Sequence, residues 1–99
     1  MEKEFIVKVA ITHIETNINC GYVNFRVKSS RDFRAKRQAL YMCERAMRED
    51  WKKTICHDYN ITMDSLDKMI CDRLISYPCD YAYTAVRVDE ILAEVEINK

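Results

Sequence analysis

The segment from Phe5 to Ile14 constrains the fold most, because its side chains are apolar on both alternating faces. β-branched residues dominate it, and the alternation has the two-residue period of a strand. The first apolar face consists of Phe5, Val7, Val9 and Ile11, and the second consists of Ile6, Ala10 and Ile14. A strand with two apolar faces is usually central in its sheet. We therefore predict that this strand lies between two others.

The next segments predict a β-hairpin and two helices. Residues 22–28 alternate between apolar and polar side chains, and the stretch from Glu15 to Gly21 holds turn-forming residues. Ser29-Ser30-Arg31-Asp32 then has the spacing of a helix N-terminus, and an apolar stripe continues to about His57. Thr62 can cap a second helix that reaches Tyr77, where Pro78 is predicted to end it.

A third strand is predicted at the C-terminal end. Residues 81–88 and 91–97 are rich in β-branched residues, and a bulge at Asp89-Glu90 would reconcile their alternation. A helix over the same residues is the competing interpretation, since Val88, Ile91, Leu92 and Val95 also have helical spacing. The prediction is an α+β domain over residues 1–99, in the order β-β-α-α-β. Its antiparallel sheet has the order 2-1-3, and both helices pack on one face.

Several classes of protein are disfavoured by the residue types. The first residues lack the cationic start of a secretory signal, and no segment approaches the ~18 apolar residues of a membrane span. We therefore expect a cytoplasmic location. The five cysteines are odd in number and irregularly spaced, so free buried thiols are expected. Cys56 and His57 are adjacent, but the close ligand pairs of structural zinc sites are missing, and we predict no metal and no other cofactor.

No catalytic motif is present. The chain has one glycine, which rules out the glycine-rich loops that cradle phosphates. His13 or His57 could act as a general base, but no converging nucleophile or acid is recognisable. His57 is better explained by its place in the last turn of a helix, where a cation interacts favourably with the dipole. We predict that the protein is not an enzyme.

Charge is unevenly distributed although the formal net charge is zero, because residues 31–53 are net basic and residues 54–99 net acidic. Helical spacing places a basic stripe on one side of the first helix, which indicates a nucleic-acid-binding surface. Its candidate residues are Arg34, Tyr41, Arg45, Arg48 and Lys52. A solvated helix face with ordinary pairs such as Glu44 and Arg48 explains the same pattern.

Acidic and aromatic residues near the C-terminal end form a second candidate surface, which could bind a basic partner. They are Tyr81, Tyr83, Asp89, Glu90, Glu94 and Glu96. The alternative is that the acids only maintain solubility and that the tyrosines border the core. An edge strand could also extend another sheet, so the chain is predicted to be a monomer or a homodimer formed through that edge.

The strand EFIVKVAITHIE, the return VNFRVKSS, the helix RDFRAKRQALYMCERAM and the closing strand AVRVDEILAEVEI resemble the small accessory proteins of phages and plasmids, including anti-CRISPR proteins. The resemblance is architectural and assigns no functional residue. It implies a non-enzymatic inhibitor that contacts a host protein or ribonucleoprotein complex, such as a CRISPR effector. The alternative is a small protein that binds nucleic acid through the basic face of its first helix.

Overall fold

The computed structural model describes residues 2–92, and the chain divides into two compact units. The first unit comprises described residues 2–43 and 80–92, and the second comprises residues 44–79. The elements in chain order are β1 (Lys3–His13), β2 (Ile18–Ser29), α1 (Asp32–Tyr59), α2 (Met63–Cys71) and β3 (Tyr81–Glu90). The predicted α+β class and the order β-β-α-α-β are confirmed.

The first unit contains an antiparallel sheet of order β2-β1-β3, so β1 is central as predicted. Phe5, Val7 and Val9 are buried on one face of β1, whereas Ile6 on the other face is 41% exposed. The face that carries Ile6 is therefore the more open of the two, although Ala10 on it is buried. Among the described residues of this unit, the helical cover comes from the first part of α1, which buries Ala35, Ala39 and Cys43.

The hairpin turn between β1 and β2 is shorter than predicted. It occupies residues 14–17, with Asn17 at a φ of 57° and its N–H donating to the carbonyl of His13 at 2.8 Å. Gly21 lies inside β2, at a register shift opposite Ile11, and has a φ of 137°. A bulge thus uses the glycine that we assigned to the turn, because the backbone here has a positive φ, which glycine adopts without a steric penalty.

In the second unit, α1 ends at a residue in the left-handed region. Asn60 has a φ of 53°, and the N–H of Ile61 donates to the carbonyl of Cys56 at 3.1 Å. Thr62 then caps α2 as predicted, because its Oγ1 accepts a hydrogen bond from the N–H of Ser65 at 3.1 Å. Leu66 of α2 is fully buried.

The end of α2 was predicted wrongly, since the helix stops at Cys71 rather than at Tyr77. Arg73 turns the chain at a φ of 61°, and its N–H donates to the carbonyl of Ile70 at 3.1 Å. The N–H of Leu74 donates to the carbonyl of Met69 at 2.9 Å. These two bonds form a Schellman motif, which satisfies the last carbonyls of the helix. Pro78 therefore lies in the connection to β3 and ends no helix.

The bulge in β3 was also misplaced. The register of β1 and β3 shifts between Lys8 and Val9, where Val86 is the extra residue, rather than at Asp89-Glu90. Val88 belongs to the strand, so the helical alternative does not hold at that position. The predicted continuation over 93–97 lies outside the described residues.

Candidate functional site

The outer edge of β3 can be identified from two backbone hydrogen bonds. The N–H of Ile14 donates to the carbonyl of Asp80 at 2.9 Å, and the N–H of Ile91 donates to the carbonyl of Glu4 at 2.8 Å. Backbone groups in an antiparallel pair alternate between the two edges of a strand. Asp80 and Ile91 direct these backbone groups toward β1. Every second residue of β3, counted from either end, therefore directs its N–H and carbonyl away from β1. Tyr81, Ala85 and Val88 are among them.

The two edges of the sheet differ in their side chains. On β2, Val23, Phe25 and Val27 face β1, so the residues between them face outward. These outward residues include Arg26 and Lys28, and charged side chains on an edge discourage the addition of another strand. The outward positions of β3 between residues 81 and 88 are uncharged, and the same counting makes Glu90, at the end of the strand, its one charged outward residue. The β3 edge is therefore the one better suited to pairing.

The predicted tyrosines lie on the core side of β3. The register places Tyr83 opposite Ile11 and Tyr81 opposite His13, and both tyrosines are half-buried. The rings of Tyr81 and His13 meet edge to face, with centroids 5.6 Å apart and an interplanar angle of 86°. These tyrosines border the core and are only partly available to a partner.

The predicted acidic residues do not form one patch. Asp89 lies on the open face of the sheet, opposite Ile6, whereas Glu90 lies opposite Phe5 on the covered side. Each has a cation beside it: Asp89 Oδ2 is 2.7 Å from Arg87 Nε, and Glu90 Oε1 is 3.6 Å from Lys3 Nζ. Their charges are thus largely compensated within the chain. Glu94 and Glu96 lie outside the described residues.

The open face of the sheet carries charge pairs and apolar side chains that the sequence did not single out. Arg26 contacts Glu4 with two hydrogen bonds of 2.9 and 3.2 Å, and this lowers the pKa of Glu4 from its ordinary value. Lys8 Nζ lies 4.4 Å from the ring centroid of Tyr22. At the bulge, Val86 is 51% exposed. The only sequence signal for this face was the second apolar face of β1, from which we predicted that β1 is central in the sheet.

The basic stripe is divided between the two units. Arg34 and Tyr41 belong to the first, where Tyr41 is 63% exposed. Arg45, Arg48 and Lys52 belong to the second. Two of these three are held by neighbours in their own unit, because Lys52 Nζ lies 3.1 Å from Asp67 Oδ1 and Arg48 stacks over the ring of Tyr77 at 5.2 Å. Arg45 remains exposed.

A cavity of about 440 Å³ lies in the first unit, beside the start of α1. Its lining includes the cations Lys3 and Arg31 and the anions Asp32 and Glu90. The two signs balance, and Lys3 is already paired with Glu90. This cavity shows no preference for a charged ligand.

All five cysteines are free, but most are not buried as predicted. Cys20, Cys71 and Cys79 are exposed, Cys56 is half-buried and Cys43 is buried. Among residues 2–92, no group of three or more histidine, cysteine, aspartate or glutamate side chains is placed to hold a metal ion.

Cys43 is expected to react most slowly with a maleimide in the native protein. Burial raises the pKa of its thiol, so less thiolate is present at neutral pH, and the side chain is also screened from the reagent. Peptide mass spectrometry after timed labelling measures the rate, with exposed Cys20 as the internal control. In urea the two rates should converge. Labelling of native Cys43 at the rate of Cys20 would contradict the burial.

No family model matches this chain, and neither a curated protein nor a solved structure matches it. Within residues 2–92, no helix is long and apolar enough to cross a membrane.

Proposed function

We propose that this chain is a non-enzymatic binding protein that acts by protein–protein contact through the outer edge of β3. The observation that carries the proposal is the outward backbone groups of an edge strand whose side chains at those positions are uncharged between residues 81 and 88. A partner strand added to such an edge gains main-chain hydrogen bonds, while pockets for alternate side chains give selectivity.

Exposed apolar side chains of β3 are further evidence that its outer edge is the binding surface. Val86 at the bulge is 51% exposed, and Tyr81 keeps part of its ring accessible. Such side chains give an added strand apolar area to cover. The acids Asp89 and Glu90 contribute less to the proposal than the sequence suggested, since each is compensated by a cation of the same unit.

The architectural resemblance supplies the class of partner. We infer a host protein or ribonucleoprotein complex that targets nucleic acid, which the chain inhibits by occupying one of its surfaces. A cytoplasmic location belongs to this proposal. A second copy of the chain is the other partner that the edge could accept, giving a homodimer. Nucleic-acid binding through the first helix has less support, because Arg48 and Lys52 are engaged within their own unit.

A tagged pull-down from host lysate, with and without nuclease, tests the proposal. Ala85→Pro removes an outward N–H of β3, and its matched control, Asn24→Pro, removes an outward N–H of β2. We expect a protein partner that survives nuclease, is retained by Asn24→Pro and is reduced at least about tenfold by Ala85→Pro, because an added strand loses a main-chain bond and meets the proline ring. Circular dichroism checks that both variants fold.

Val86→Lys provides a second variant that leaves the backbone unchanged and places a charge at the proposed contact. It should also reduce capture. If Ala85→Pro and Val86→Lys both retain the partner at full level, the β3 edge is not the binding surface. If every partner disappears with nuclease, the protein-binding proposal is wrong and the basic face of α1 becomes the working surface.

A further inference from the structure

The second unit contains a cavity of about 500 Å³, which is within the range of small-molecule sites. Its walls combine cations, aromatic rings and aliphatic side chains. Its lining residues are Arg48, Trp51, Lys52, Ile70, Arg73, Ile75, Ser76 and Tyr77. No acidic residue is among them, although Arg48 and Lys52 each contact a carboxylate beside the cavity.

The three cations of the cavity are engaged to different degrees. Lys52 is only 20% exposed and is held by Asp67 at 3.1 Å and Glu49 at 3.8 Å. Arg48 is half-exposed, and its 3.4 Å contact with Glu44 is a surface ion pair of small energy. Arg73 is exposed and forms no ion pair with the described residues. An anion could therefore bind Arg73 without breaking an ion pair. It could bind Arg48 by replacing the weak contact with Glu44.

The aromatic wall of the cavity suits a flat ring. Trp51 and Tyr77 meet with centroids 5.4 Å apart and an interplanar angle of 78°. Rings in an edge-to-face pair do not cover each other as stacked rings do. Arg48 lies over the Tyr77 ring at 5.2 Å, so a planar ligand would contact the two rings and this guanidinium together. Ile70 and Ile75 add apolar surface beside them. The lining thus offers a planar apolar contact in the same cavity as Arg73, a cation without an ion pair among the described residues.

Arg73 occupies a position that normally favours glycine. It is the left-handed residue of the Schellman motif after α2, and a side chain there carries a conformational cost that glycine avoids. The geometry nevertheless places a guanidinium at the cavity. Replacing Arg73 with glycine should therefore remove the charge while easing the backbone, which makes the residue unusually suitable for a test.

We propose that this cavity binds a nucleoside monophosphate, with the base against the Trp51 and Tyr77 wall and the phosphate held by Arg73 and Arg48. The volume accommodates one such molecule, and the guanidinium groups match the bidentate acceptors of a phosphate. Arg73 carries most of the proposed attraction, because the carboxylates near the cavity pair with Arg48 and Lys52 and not with Arg73. This site is in the second unit and does not depend on the proposed role of the β3 edge.

The test uses Trp51, the only tryptophan of the chain, as a reporter in the cavity wall. Adenosine 5′-monophosphate, titrated into the full chain at low salt, should quench Trp51 fluorescence saturably. Adenosine and inorganic phosphate, each titrated alone, should bind at least about tenfold more weakly, because each supplies only half of the contacts. Calorimetry of the same titrations checks the Kd values.

Arg73→Gly should raise the Kd for adenosine 5′-monophosphate at least about tenfold, while the helix content stays unchanged. Arg45→Gln removes an exposed arginine of the same unit that does not line the cavity, and it should bind as the parent chain does. The proposal is overturned if no saturable change occurs, if Arg73→Gly binds as tightly as the parent, or if adenosine binds as tightly as its monophosphate.

Discussion

Leu66→Ala is expected to lower the free energy of unfolding by about 3 kcal/mol, because truncation of a fully buried leucine loses its transfer free energy and leaves a cavity. Leu66 is among the largest side chains that are completely shielded from solvent, and it lies in the short helix α2.

Urea denaturation followed by the fluorescence of Trp51 measures this effect in the unit that contains both residues. Leu74→Ala is the matched control, since Leu74 is the same residue type in the same unit but is 74% exposed. Its free energy of unfolding should stay within about 0.5 kcal/mol of the parent value. Equal midpoints for the two variants would contradict the burial of Leu66.

Val7→Asp should lower the free energy of unfolding by at least about 3 kcal/mol. We expect this loss to abolish cooperative folding of the sheet at neutral pH. Val7 is completely buried on the covered face of β1, and an aspartate there would place a charge without a partner in the core. Burial would raise the pKa of the new carboxyl group. The penalty should therefore be greatest well above the ordinary pKa of about 4 and should decrease as the pH falls through the raised value.

The matched control for this substitution is Val86→Asp. Val86 belongs to the same sheet and is 51% exposed, so the new carboxylate stays hydrated. Circular dichroism in urea, at neutral and acidic pH, should show near-parental stability for Val86→Asp and a large loss for Val7→Asp. A cooperative transition of parental stability for Val7→Asp would be incompatible with its position in the core.

The features that were predicted correctly are specified by patterns within a few neighbouring residues. The alternation in β1 and the cap at Thr62 each depend on residues close in the chain, and the structure confirms both. The end of α2 was missed because Arg73 adopts a left-handed conformation that its residue type disfavours. Likewise, the bulge at Val86 follows from how β3 pairs with β1, which the sequence of β3 alone does not specify.

The sequence predicted which residues belong to the candidate sites better than how those residues are arranged. A strand edge at β3 followed from the order of strands, but the separation of Asp89 and Glu90 onto opposite faces depends on the register. The basic stripe followed from helical spacing, whereas the contacts of Lys52 with Asp67 and of Arg48 with Tyr77 join segments distant in sequence. The cation-lined cavity had no signal, because its lining comes from α1, α2 and the segment that follows α2.

The sequence by itself determined the types and order of the elements and the central place of β1, because hydrophobic periodicity and capping act over a few residues. Only the tertiary structure decided which face of β1 is covered, where α2 ends, which charges are compensated and which cations share a cavity. Those features depend on distances between residues far apart in the chain, and such distances are set by packing and strand register rather than by any local pattern.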